Sequence, residues 1–245
     1  MTVLTIVKIF GFRFFFLVLE LWPTIQFIGN NNMIENQKIV AIIQARMRST
    51  RLPGKVMKRL ANKPVLWHVV SRLKHAKMID QIVVATTNLP EDRVIVEFCL
   101  SNNIDYFCGS SQDVLSRYYE TAKQFQASIV VRITADSPVI EPKIIDKMIE
   151  RFNEKNESGN PLDYLSNRIV RSFPPGLIAE VFSFKVLSIA QREAMKDYER
   201  EHVTPFIYQH PDRFSLVNFQ QKEDHTHFRL TLDIEEDYEL ITLIY

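Results

Sequence analysis

Arg46, Arg48, Arg51 and Lys55 fall within ten residues, interleaved with Ser49, Thr50, Pro53 and Gly54, directly after the apolar run VAII at 40–43. Four cations this close repel one another in a packed core, but they match the charge of a polyphosphate. Ser49 and Thr50 add hydroxyl donors, Gly54 lets the backbone approach a ligand, and Pro53 stiffens the turn. A solvated basic loop is the plain alternative, as for most charge runs. It leaves unexplained why the cations start at the carboxyl end of a buried-type strand, the edge where open α/β sheets bind ligands. The phosphate loop of nucleotide hydrolases, G-x-x-x-x-G-K-[ST], is excluded. Ser49 stands at its first glycine and Val56 at its magnesium-binding hydroxyl.

Two carboxylates stand where such a ligand needs a metal. Asp136 follows the run SIVVRIT in TADSP, and Asp233 follows FRLTL in DIEED. Both sit at the ends of strand-type segments, on the edge expected for the cationic loop. Magnesium asks for one or two carboxylates, because it keeps waters and bridges phosphates. Helix capping or turn formation accounts for either aspartate equally well.

The elements that must position these groups alternate. Strands are expected over 38–44, a continuous apolar run with β-branched residues of the kind buried on both faces, and over 81–87, near 105–108 and over 128–134. Helices are expected from Pro64, over 90–100, over 112–126 and over 141–152, where apolar residues recur at helical spacing or acidic residues fill the first turn. This rhythm means a largely parallel sheet with helices on both faces. The second half is less regular. SFPPG at 172–176 marks a loop, LIAEVFSF reads as a strand, VLSIAQREAM as a helix, and REHVTPFIYQHPDRF as a short helix ended by His210 and Pro211. FRLTL reads as a strand before an acidic turn and a final helix.

Composition excludes several classes. The apolar fraction of 46% supports a globular core, and 30 Lys and Arg against 29 Asp and Glu leave a net charge of +1. A nucleic-acid-binding protein normally carries a large basic excess, so no nucleic-acid partner is expected. Cys99 and Cys108 have no metal-ligand spacing and read as buried free thiols of a reducing compartment. Residues 3–28 are strongly apolar but interrupted by Lys8, Arg13, Glu20 and Pro23, with uncharged runs short for a bilayer. A membrane-associated segment is one reading, with membrane contact only if residues 1–28 are genuine. The favoured reading starts translation at Met33, leaving an extension over 1–32 and one domain over 33–245.

The segment ARMRSTRLPGK at 45–55 resembles the A-R-x-x-S-[TK]-R-L-P-G-K motif of the cytidylyltransferases that activate acidic sugars, the acylneuraminate and 3-deoxy-manno-octulosonate family. GSSQDVLSRYYETA, VRITADSPVI, FPPGLIAEVFSF and REHVTPFIYQHPDRF resemble its spore coat polysaccharide biosynthesis protein F group, and the likeness runs from residue 38 to the end. LDIEED stands where the family has V-D-T-P-E-D, keeping Asp233, Glu236 and Asp237 but not the proline. Gly176-Leu177-Ile178-Ala179-Glu180 lacks the aspartate of Gly-Leu-Asp-x-Glu. The chain also stops within its last helix, where the family runs on.

The resemblance implies an α/β, three-layer α/β/α Rossmann-like nucleotide-diphospho-sugar transferase fold with a mainly parallel, mixed sheet. It implies a CTP-dependent transfer of CMP to an acidic sugar with release of pyrophosphate, for cell-surface or spore-coat polysaccharide, by a cytoplasmic homodimer. Arg46 and Lys55 would be catalytic. Arg46, Ser49, Arg51, Gly54, Lys55 and Asp113 would hold the nucleotide, Asp136 and Asp233 the Mg2+, and Glu180, Arg200 and His202 the sugar. Two rivals remain: a glycosyltransferase of the same fold, and a non-catalytic nucleotide-binding assembly subunit. The first calls for a D-x-D motif, and ADS at 135–137 lacks its second aspartate.

Overall fold

The computed structural model describes residues 37–158 and 161–245. The expectations for the segment 1–32 lie outside the described residues. In chain order the elements are β1 (Ile39–Gln44), the short pair β2 (Arg59–Leu60) and β3 (Lys63–Pro64), α1 (Val65–Leu73), β4 (Gln81–Thr87), α2 (Arg93–Ser101), β5 (Asp105–Gly109), α3 (Val114–Gln124), β6 (Ile129–Thr134), α4 (Pro142–Glu157), β7 (Tyr164–Ser166), β8 (Glu180–Ser183), α5 (Phe184–Glu193), α6 (Asp197–His202), α7 (Pro205–Tyr208), β9 (Leu216–Asn218) and α8 (Glu235–Ile244).

Seven strands form one sheet in the order β5-β4-β1-β6-β8-β7-β9. β4, β1 and β6 run parallel with Gln44 opposite Ala85 on one side and Thr134 on the other, and β8 joins β6 antiparallel. The mixed, mainly parallel α/β sheet is the one expected. β1 shows why its sequence is apolar without a break. Ala41 and Ile43 face a core shared with α1, α2 and α4, while Val40 and Ile42 face a second core with α3, α5 and α7. A strand covered on both faces cannot alternate polar with apolar. The chain builds outward from β1 to β4 and β5 on one side and then crosses to β6 on the other, so the loops after the parallel central strands β4, β1 and β6 share one edge.

FRLTL is the expectation that fails. Residues 228–232 pair with no strand; the Leu230 amide donates to the carbonyl of Pro175 at 2.8 Å and the Leu232 amide to the carbonyl of Asp136 at 2.9 Å. The period-2 pattern was real, but its backbone partners are loops. Gly176 makes this pass possible. At φ 104 it packs so closely that a Cβ there would lie 2.2 Å from the Leu230 oxygen. Both cysteines are free, and burial pushes the Cys99 thiol up to about 12, leaving it protonated and inert. Among the described residues no helix is long and apolar enough to cross a membrane.

Candidate active site

The basic loop leaves β1 at Ala45 and folds back on itself. The Gly54 amide donates to the Met47 carbonyl at 2.9 Å, and Gly54 takes φ 69, a left-handed conformation that glycine adopts without strain. Asp92 anchors the other side of the loop. It is 1% exposed, accepts from the Met47 amide at 2.5 Å and also accepts from the Thr87 hydroxyl at the end of β4. The sequence offered Asp92 only as an acidic residue complementing a helix dipole; its partner lies 45 residues away.

Lys55 is the centre of the site. Its ammonium donates to Asp136 Oδ2 and to Asp233 Oδ1, each at 2.7 Å. Asp136 comes from the end of β6, and Asp233 from the extended pass that runs beside it. Asp233 is held by several groups: Arg51 and Arg229 each lie 3.2 Å from its Oδ2, and its own amide donates to Asp237 at 2.8 Å. Asp237 is in turn fixed by Arg229 at 2.6 Å, so the first turn of α8 aims the Asp233 carboxylate. Burial alone would raise the Asp233 carboxyl, but Lys55, Arg51 and Arg229 hold it below the usual range.

Three adjoining lobes open here, and Arg46 lines all of them. The first, about 450 Å³, is bounded by Ser49, Arg51, Lys55, Thr134, Asp136 and Asp233. The second, about 310 Å³, reaches Arg117, Glu201 and His202. The third, about 460 Å³, lies over the ends of β4 and β5 between Arg48, Thr87, Leu89, Ser111 and Gln112. A hydroxyl-lined cationic slot beside two further lobes suits a nucleoside triphosphate. Because one ammonium satisfies both Asp136 and Asp233, the two carboxylates can also share a divalent ion. Among the described residues no three His, Cys, Asp or Glu side chains gather to cage a metal. A pair of carboxylates completed by phosphate oxygens and water fits a hard cation such as magnesium.

Of the expected site residues, Arg46, Ser49, Arg51, Lys55, Asp136, Asp233 and His202 line this cleft, and Gly54 shapes the loop. Three expectations need correction. Glu180, expected at the sugar, is 1% exposed and accepts from Arg132, from Tyr164 at 2.5 Å and from Thr204 at 2.6 Å. It joins β8, β6, β7 and the turn before α7 as a buried brace. Asp113 and Arg200 face each other instead of the cleft: Arg200 donates to Asp113 through Nε and Nη2 and to the Gln191 carbonyl through Nη1, tying α6 to α3 and α5. Asp113 also caps α3 through the Ser116 amide.

The brace titrates. Burial opposes ionisation of Glu180, yet Arg132, Arg168, Thr204 and Tyr164 hold its carboxyl below the ordinary 4.5. A carboxyl that titrates lower when folded stabilises fully above the unfolded value and loses that contribution as pH falls through the folded one. Urea midpoints should therefore hold between pH 7 and 5 and drop below about pH 4.5. A midpoint flat down to pH 3 would remove Glu180 from the account of stability.

Residues 40–244 match the model of a family described as cytidylyltransferase. An uncharacterised protein of Methanocaldococcus jannaschii is 40% identical over 205 residues, covering 83% of this chain and 81% of its own. Spore coat polysaccharide biosynthesis protein SpsF of Bacillus subtilis is 33% identical over 214 residues, covering 84% and 86%. A solved cytidylyltransferase of Leptospira borgpetersenii is similar at a TM-score of 0.80 and 33% identity, over 84% of this chain and 86% of its own. At 14% identity and a TM-score of 0.64, over 84% of this chain and 98% of its own, CMP:2-keto-3-deoxy-manno-octonic acid synthetase complexed with CTP shares the fold.

Proposed function

The chain belongs to the cytidylyltransferase family, and from that premise we propose that it transfers CMP from CTP to an acidic sugar of the nonulosonic or octulosonic type, releasing pyrophosphate, for a surface or spore-coat polysaccharide. The observation that carries this reading is the Lys55 ammonium 2.7 Å from both Asp136 and Asp233, beneath a cationic loop that faces the same cleft.

The sugar hydroxyl attacks the α-phosphorus, the bond from that phosphorus to the β-phosphate oxygen breaks, and the hydroxyl proton leaves to solvent. Catalysis of such a step is alignment and charge neutralisation. Arg46, Ser49 and Arg51 grip the triphosphate, Gly54 keeps the loop backbone close, and Lys55 donates to the α-phosphate and leaving oxygens. Asp136 and Asp233 would hold Mg2+, which would supply charge neutralisation for the triphosphate and lower the pKa of the attacking hydroxyl. His202 faces the acceptor. Because the reaction consumes a cytoplasmic nucleotide, the protein acts in the cytoplasm, and we take it to work as a homodimer. The glycosyltransferase alternative is disfavoured, since Pro138 stands two residues after Asp136, where D-x-D has its second aspartate.

Pyrophosphate release from the full chain, with magnesium, each of the four nucleoside triphosphates and a panel of acidic sugars, tests the reading. Release should require CTP and one class of acidic sugar, and Asp136→Asn or Asp233→Asn should lower it by about 10²-fold or more. CTP binding without turnover on any acceptor would favour the assembly subunit. No nucleotide binding at all would end the proposal.

A further inference from the structure

The second lobe holds a charge that the triphosphate does not use. Arg117 stands in the first turns of α3, is 2% exposed, and lines this lobe with Gln44, Arg46, Asp136, Glu201 and His202. Its Nη1 donates to the Ser110 carbonyl at 2.7 Å. Its Nε is buried and has no acceptor among the described residues. Asp113, one turn earlier, is taken by Arg200. A guanidinium buried without a carboxylate beside it is unfavourable and uncommon. Burial, with Arg46 acting in the same sense, works against the charged form of Arg117 and outweighs the opposing pull of Asp92 and Asp113.

The opposite wall is strained. Val203 takes φ 72 and ψ −55, with the Thr204 amide donating to the His202 carbonyl at 2.9 Å, a tight turn that a β-branched residue rarely adopts. The turn splits α6 from α7 and sets Glu201 and His202, both exposed, at the rim of the cleft. Strain of this sort persists where the surrounding fold enforces it, commonly at ligand clamps.

A ligand that completes this lobe must bring one negative charge and several hydroxyls. The negative charge answers Arg117, while Glu201 accepts from hydroxyls and repels a second anion. The triphosphate already has Arg51, Lys55 and Ser49 in the first lobe. We propose that the lobe between α3 and the Val203 turn is the acceptor subsite, in which Arg117 receives the sugar carboxylate and Glu201 with His202 takes its hydroxyls. The assignment rests on the sugar cytidylyltransferase reading above and adds the residue that would make that enzyme select acids.

The test compares each acidic sugar with its neutral methyl ester, using the full-length protein and its Arg117→Gln and Arg117→Lys variants, with folding checked by thermal melting. The wild type should prefer the acid by about 10²-fold in kcat/KM, as expected when a buried polar group loses its partner. Arg117→Gln should reduce that preference to within about threefold and leave the KM for CTP within about twofold; Arg117→Lys, which keeps the charge and the fold, should fall between. A folded variant that keeps the full acid preference overturns the assignment, as does one whose loss lies in the KM for CTP. If Arg117→Gln does not fold, Arg117→Lys alone decides by the same ratio. A wild type that transfers CMP only to neutral sugars overturns the subsite and leaves the nucleotide chemistry standing, whereas a wild type without nucleotide binding removes both.

Discussion

Lys55→Ala should lower kcat for pyrophosphate release by about 10³-fold at saturating CTP and magnesium, because a preorganised cation at a developing phosphate charge is worth that much in a partly dry site. The Lys55 side chain is 13% exposed, and among the described residues its ammonium bonds only to Asp136 and Asp233. Alanine strips Asp136 of its cation and leaves Asp233 to Arg51 and Arg229. CTP without metal should then bind more weakly, since the carboxylates repel the triphosphate. Magnesium relieves that repulsion but does not restore the lost donor, so a metal titration separates the two effects. Recovery of kcat to within tenfold of wild type at high magnesium would mean that Lys55 merely keeps the carboxylates apart before ligand arrives. Lys55→Arg keeps the charge but presents a broader head in a slot sized for an ammonium, and activity between the two is expected.

The second large effect is structural. Glu180→Ala should destabilise the protein by about 3–5 kcal/mol, the usual result of leaving a buried cation without its partner. Arg132 is 8% exposed and its Nη1 donates to Glu180; its remaining side-chain bond goes to Gln44 at 3.1 Å. Removing the carboxylate strands the guanidinium and also the hydroxyls of Tyr164 and Thr204, which lie on β7 and at the start of α7. Urea unfolding measures the change, and in a chain of this size the melting temperature should fall by roughly 10 °C. Arg132→Met added to Glu180→Leu should recover much of the loss, since an apolar pair of similar volume avoids the desolvation cost. The KM for sugar should barely move in folded Glu180 variants. A sugar KM raised tenfold with unchanged stability would return Glu180 to the role that its place in the sequence suggested.

Local patterns carried much of this architecture. The unbroken apolar run of β1 meant burial on both faces, and the packing of Val40 and Ile42 against one core and Ala41 and Ile43 against the other bears that out. The cationic loop was legible because its chemistry lies within eleven consecutive residues, 45–55, and the resemblance of that stretch to cytidylyltransferases agrees with the family that the chain matches. Nothing local marked the failures. Residues 228–232 alternate like a strand, yet their amides bond to the turns at Pro175 and Asp136. REHVTP reads as one helix, but the left-handed backbone at Val203 divides it.

What the sequence determined by itself, then, was the set of parts: strands and helices from hydrophobic period, and a dense cationic loop at the end of β1, because both signals depend on neighbours along the chain. Tertiary structure alone decided which charges meet. Glu180 with Arg132 and Asp113 with Arg200 are joined across 48 and 87 residues, and Lys55 finds its two aspartates across 81 and 178. Whether a carboxylate braces the core or faces a substrate depends on which cation the folded chain brings within about 3 Å, and that choice is set by sheet order and loop path, which no stretch of sequence contains.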